Sequence, residues 1–157
     1  MLNDIVIDTN VLLHAQNPNE KRFEDSSNFI NKILEKKTSL CMDEGFSEDE
    51  SKNKSIIGCE YLSNLQFGSI GLNLIVQLAH QQRIKQLTKK APKRIVRKIN
   101  QLIINKIDRV FLKVAYNSDE KTLVSHDYTD FQITKRQFIL TDLQIQVIEA
   151  CDCLNCF

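Results

Sequence analysis

Three aspartates stand at comparable places in this chain. Asp8 follows the β-branched run Ile5–Ile7, Asp43 follows Ser39–Met42, and Asp127 lies just past Lys121–Ser125. Carboxylates gathered in one place repel: two unit charges about 4 Å apart cost roughly 4 kcal/mol at an effective dielectric of 20. A cation relieves that cost, and an all-oxygen donor set suits a hard ion such as Mg²⁺ or Mn²⁺ that keeps several of its waters. Metal-assisted hydrolysis is the chemistry such a group suggests. Asp43 ranks below the others as a peripheral ligand. No Gly-rich phosphate loop is present, and no Ser-His-Asp or Cys-His pattern offers a covalent nucleophile. The three histidines, His14, His80 and His126, lack the spacing of ligands on one helix, and His126 reads as an exposed or capping residue.

For the aspartates to converge, the runs before them must be strands of one sheet. Ile5–Ile7 reads as a buried strand feeding a helix whose start is marked by Asp8, Thr9 and Asn10. Helical spacing covers Ser26–Lys36 and Ser55–Phe67, with Gly68 as the stop, and then Gly71–Gln82. Pro92 opens a further helix with Ile95, Ile99, Leu102, Ile103 and Ile107 facing inward. Asp108 caps or continues into Val110–Ala115. Lys121–Ser125 is a third strand, Phe138–Leu143 a helix and Ile145–Ile148 a last strand. Asp43–Lys54, with five acids, is a loop that projects over the site or shapes its entrance. Strands alternating with helices predict a three-layer α/β/α sandwich around a parallel sheet, with functional groups beyond the C-terminal strand ends. Residues 1–150 form the domain, and 151–157 a short loose tail.

Composition narrows the setting. The 157 residues, 42% hydrophobic and 26% charged with four Gly and two Pro, fit one domain rather than a disordered chain. The longest apolar stretch, near Leu72–Ala79, is too short for a membrane span, and the acidic N-terminus is unlike a signal peptide. Five cysteines without secretory features predict free thiols in a reducing, cytoplasmic setting. Cys153 and Cys156 form half of a zinc pattern with no second half in view, so Cys151, Cys153 and Cys156 read as small apolar residues. Net charge is +1, yet no Asp or Glu lies between Tyr61 and Ile107, where nine Lys and Arg give +9 against −8 elsewhere. That asymmetry suggests a polyanion partner. Lys89, Lys90, Lys93, Arg94, Arg97 and Lys98 are the candidate phosphate contacts, expected close to the acids. Few aromatics interleave with them, so base stacking is not evident.

The segment Ile5–Leu13 resembles the opening motif of PIN-domain nucleases: an apolar strand, Asp8, a small polar residue, Asn10 and an apolar helix. Thr122–Phe131 resembles their closing motif, with Ser125-His126-Asp127 and then Asp130-Phe131. Ile57–Tyr61 is similar to the family's helical Glu-Tyr element, Asp108–Ala115 to its Asp-bearing helix, and Asp142–Ile148 to its last helix-to-strand turn. The resemblance implies metal binding by Asp8, Glu60, Asp108 and Asp127, with Asp130 as a fifth acid and with Asn10 and Ser125 orienting a carboxylate or a metal-bound water. It implies a Mg²⁺- or Mn²⁺-dependent endoribonuclease that hydrolyses single-stranded RNA with a metal-activated water. Toxin (VapC-type), RNA-processing and defence roles, a protein inhibitor of the antitoxin kind and a homodimer all belong to the family's range.

Three other readings compete. A catalytically inactive RNA- or protein-binding module would retain the fold without the chemistry. A structure-specific DNA nuclease of the flap type usually has a longer chain. A phosphatase with an Asp nucleophile usually has Asp-x-Asp after the first strand, where this chain has Asn10.

Overall fold

A computed structural model describes residues 1–157. The chain runs β1 (Asp4–Ile7), α1 (Thr9–His14), α2 (Phe23–Glu35), β2 (Ser39–Asp43), α3 (Ile56–Asn64), α4 (Ile70–His80), β3 (Ile84–Leu87), α5 (Lys93–Leu102), α6 (Lys106–Asn117), β4 (Thr122–Val124), α7 (Ile133–Leu143), β5 (Gln146–Ile148) and α8 (Ala150–Cys153), which ends in a 3₁₀ turn. The five strands form one parallel sheet in the order β3-β2-β1-β4-β5. Helices cover both sides, so the molecule is a three-layer α/β/α sandwich. No helix is long and apolar enough to cross a membrane.

The central strand explains the architecture. Ile5, Val6 and Ile7 are fully buried because helices cover both sheet faces. Each such side chain contributes about 1.5–3 kcal/mol on leaving water. In register, Val6 pairs with Leu123 and Ile7 with Val124. The chain leaves both strands at the same level, which brings the segments that follow them side by side. One helix group gathers α1, α2, α4 and α8; the other gathers α3, α5, α6 and α7. Tyr61 on α3 is wholly buried, meets Phe111 of α6 edge-on and donates its hydroxyl to the carbonyl of Ile7.

Several expectations change. The sequence does not announce β3, because Ile84–Leu87 is short, carries Lys85 and Gln86, and sits at the sheet edge with little burial. The helix opened by Pro92 does not run on to Ile107: Ile103 turns extended, Asn105 caps α6, and Ile107 is exposed. Helix α7 starts at Ile133 rather than Phe138. The acidic loop does not overhang the strand ends. Gln86 accepts from the amides of Gly45 and Phe46, and Glu48 meets His80, so the loop folds against the β3 edge. It thereby shields an open row of backbone groups. The tail is not loose either: Cys153 is fully buried, α8 packs on α2, and Phe157 lies 6.2 Å from Phe29, ring to ring.

Asp43 is a structural residue and not a ligand. Its fully buried carboxylate accepts from the Ser55 hydroxyl (2.6 Å) and from the amides of Ile56 (2.7 Å) and Ile57 (2.9 Å), and Lys89 approaches to 3.5 Å. It anchors the start of α3, where free amides and the helix dipole favour an anion. Asp43→Ala leaves these donors unpaired, with an expected loss of about 3 kcal/mol. Urea unfolding checks this, and the loss is expected to be the same with and without Mn²⁺.

Candidate metal and hydrolytic site

Asp8 occupies the position before α1 without capping it. Its carboxylate turns toward β4 instead. Ser125 Oγ donates to its Oδ2 at 2.7 Å and Asn10 Nδ2 donates to the same oxygen at 2.8 Å, while the Asn10 backbone amide also faces the carboxylate. Asn10 Oδ1 accepts from the His126 amide, and Ser125 Oγ accepts from the Asp127 amide. Two short polar side chains therefore join the end of β1 to the loop after β4. Asp127 shapes that loop by accepting from the Thr129 and Asp130 amides, a local turn of the kind aspartate favours.

Asp108 arrives from the other direction, on the first turn of α6. The helix is capped by Asn105, whose Oδ1 accepts from the Ile107 and Asp108 amides, so the Asp108 carboxylate is free for other use. Carboxylate oxygens of Asp108, Asp127 and Asp130 lie within 4.8 Å of one another. Neither Asp8 nor Glu60 is in this group, although Asp8 lies close enough to repel Asp127 and Asp108. Glu60 sits half-buried on α3, and its carboxylate makes no hydrogen bond or ion pair.

The electrostatics separate these acids from the other buried ones. Asp4 is buried, which pushes its carboxyl up, but Lys85 and the amides of Glu120 and Asp119 outweigh this and hold it below its usual value. Asp43 has Lys89. No Lys, Arg or His forms an ion pair with Asp8, Glu60, Asp108, Asp127 or Asp130. Burial pushes Asp8 up to about 6 against the pull of Ser125, and Asp127 adds repulsion. Asp108 is pushed well above the carboxylate range by burial, by its hydrogen bond with Asp130 and by the negative charges of Asp8, Asp130 and Asp127. A cluster of unneutralised oxygens at the sheet's C-terminal edge fits a hard divalent cation.

One residue that shapes the site carries no signal in the sequence. Arg136 on α7 donates from Nε to the Phe131 carbonyl (2.7 Å), and from one terminal nitrogen to the carbonyls of Ser125 and Asp127 (3.1 Å each). It also lies over the Tyr128 ring, 4.2 Å from the centroid. One guanidinium thus ties down both ends of the segment that carries Asp127 and Asp130. No local pattern around Arg136 reveals this, because its partners are backbone atoms. His126 is buried rather than exposed. Its Nε2 accepts from the Ala150 amide, and its Nδ1 lies 2.8 Å from His14 Nδ1 with the two rings nearly parallel. Burial depresses both imidazoles, His126 to about 4.

The basic segment is only partly where the sequence placed it. Asn117, at the far end of α6 from Asp108, donates its side-chain amide to the carbonyls of Thr88 and Lys90. Nine residues of helix separate Asn117 from Asp108, about 14 Å at 1.5 Å per residue. Lys90, Lys93 and Arg94 therefore start near that far end of α6, whereas Lys89 turns its ammonium to Asp43 at the end of β2, and α5 then runs back toward Asp108. Arg83 is structural, donating to the carbonyls of Ile33, Lys36 and Thr38, and Lys85 is held by Asp4 and Asp119. Lys98 pairs with Asp142.

No family model matches the chain, and no curated protein matches it.

The raised carboxyls give the metal-free protein a defined pH response. A carboxyl with a higher value folded than unfolded binds protons in the fold that the unfolded chain has released. Its contribution is present at low pH and lost as pH rises from the usual 3.8 through the folded value, about 6 for Asp8 and higher for Asp108. Below about pH 6.5 the two depressed imidazoles gain stability as pH rises and oppose this loss, so thermal melting of the metal-free protein is expected to fall from about pH 6.5 to about 8, where Asp108 alone titrates. Asp108→Asn is expected to flatten the fall and to raise Tm at pH 8 by about 2–4 °C per kcal/mol of repulsion relieved. A wild-type Tm that does not change with pH contradicts this electrostatic account.

Proposed function

We propose that the protein is a Mg²⁺- or Mn²⁺-dependent endoribonuclease acting on single-stranded RNA, with a site similar to that of PIN-domain nucleases. The observation that carries the reading is the uncompensated group Asp108, Asp127 and Asp130 beside the buried Asp8, in a protein whose other buried carboxylates each have a cationic partner. The order of motifs along the chain supports the same assignment.

Asp108, Asp127 and Asp130, with the neighbouring Asp8 carboxylate, would hold the cation. When bound, the metal lowers the pKa of its water and stabilises charge on the phosphoryl oxygens. Ser125 and Asn10 fix Asp8 in orientation by occupying its Oδ2. Asn10 also holds the His126 amide, and Arg136 holds the loop that presents Asp127 and Asp130. Their shared task is to keep mutually repelling groups in place before the substrate arrives, so little reorganisation is needed during reaction. With no buried side-chain cation among these acids, a divalent ion is the counter-charge that suits them. Lys90, Lys93, Arg94 and Arg97 supply charge for a phosphate backbone, and Lys89 and Lys98 join them on exchanging their carboxylate partners for phosphate.

The test is cleavage of a labelled single-stranded RNA with Mn²⁺ or Mg²⁺. Wild type is expected to cut only with metal. Ser125→Ala is expected to lower the rate by about 10–100-fold, as for groups that orient a ligand, and Asp8→Asn and Asp127→Asn to lower it more. Glu60→Gln is expected to cost less than Asp108→Asn, because Glu60 stands outside the close carboxylate group and its charge bears on neither Asp108 nor Asp8, whereas the charge of Asp8 bears on Asp108. Equal cutting by wild type and both Asp variants excludes the assignment. Binding without cutting under either metal points to an inert RNA-binding module, and preferential cutting of flapped DNA to a DNA nuclease.

A further inference from the structure

A groove of about 440 Å³ lies between α5 and α7, lined by Arg94, Arg97, Lys98, Gln101, Thr141 and Asp142. Its charges are unevenly engaged. Asp142 holds Lys98 at 2.7 Å, whereas Arg94 and Arg97 are exposed and make neither an ion pair nor a hydrogen bond. Two guanidiniums facing a hollow with amide and hydroxyl groups nearby suit a phosphodiester, whose oxygens accept planar pairs of N–H donors.

Two helices measure the groove's distance from the acids. Arg109, next to Asp108, donates to the carbonyl of Ile103 at the end of α5. Arg97 and Arg94 lie six and nine residues before Ile103, about 9 and 14 Å back along the helix. Along α7, Thr141 lies eight residues past Ile133, about 12 Å from the end that adjoins Asp130. A stacked strand places one phosphate about every 3.4 Å, so 9–14 Å is about three to four nucleotides.

We propose that the α5–α7 groove is a phosphate subsite for single-stranded RNA, engaged about three to four nucleotides from the bond cut at the carboxylate group. This rests on the nuclease reading above and adds a length requirement to it. Asp142 is an intrinsic competitor in the groove, occupying Lys98 until a phosphate replaces it.

The experiment measures binding in EDTA, where metal-dependent cutting is silent. Fluorescence anisotropy compares labelled RNAs of about two and about twelve nucleotides, below and above the span set by the helix rise and strand spacing. The longer strand is expected to bind at least about tenfold tighter, with a steeper salt dependence. Arg94→Gln/Arg97→Gln is expected to reduce the slope of log affinity against log salt by about 1.4, that is 0.7 for each phosphate no longer neutralised, and to collapse the length preference. Asp142→Asn is expected to act in the opposite sense, strengthening binding of the longer strand by freeing Lys98. All three substituted residues lie at the surface, and a melting curve confirms that each variant is folded. An unchanged salt slope in the double variant, or unchanged long-strand affinity in Asp142→Asn, overturns the subsite. Cleavage with Mn²⁺ is scored separately. A length preference without cutting supports the subsite and removes the nuclease, while cutting without a length preference does the reverse.

Discussion

Negative charge without a counter-charge at the C-terminal edge of the sheet is the constraint around which this molecule is arranged. Parallel strands β1 and β4 end at the same level and bring Asp8 and Asp127 together, and α6 adds Asp108 from its capped first turn. In an unconstrained chain such groups would separate into water. Here backbone pairing, a Ser125–Asp8–Asn10 junction and the Arg136 guanidinium prevent that separation. The interactions that oppose the repulsion are hydrogen bonds to neutral groups and to carbonyl oxygens. They fix geometry without cancelling charge, so the field of the site stays negative. Had a lysine been placed there, as Lys85 is beside Asp4, the same carboxylates would be structural.

This contrast distinguishes two kinds of buried acid in one small protein. Asp4 and Asp43 each receive backbone amides and a lysine, and each fastens one element to another. Asp8 and Asp108 receive burial and like charge instead. All four stand at the termini of strands or helices, so position alone does not reveal which kind a residue is. What separates them is the sign of the nearest uninvolved charge.

Much of this organisation is legible in the sequence because it is written locally. Ile5–Ile7 announces a buried strand by composition, Asp8 and Asn10 mark a helix start, and Ser55 marks the start of α3, which stops at Asn64 rather than running to Gly68. Asp127 and Asp130 stand out because their spacing and strand context are carried in adjacent residues. What escapes depends on residues far apart in the chain. Asp43 resembles Asp8 in its local setting, and only its donors, Ser55 through Ile57, twelve to fourteen residues on, set it apart. β3 has an edge strand's composition, which overlaps with that of a charged loop. Arg136 acts on main-chain carbonyls, which carry no side-chain signature. The basic run is plain in the composition, but its orientation relative to the acids is set by Asn117, a residue with no charge.

The paired histidines link the two ends of the chain. With the Ala150 amide donating to His126 Nε2, the ring's proton sits on Nδ1 and is directed to His14 Nδ1, which fixes the tautomer of both rings. Donors thus point one way, from the start of α8 through the end of β4 to the end of α1. Such a series polarises along its length and is worth less if any member is missing. It is complete only when the last helix has docked, so the segment after β5 closes the fold rather than decorating it. Fraying of the C-terminus removes the Ala150 donor, and with it the bond that sets which nitrogen of His126 faces His14 with a proton.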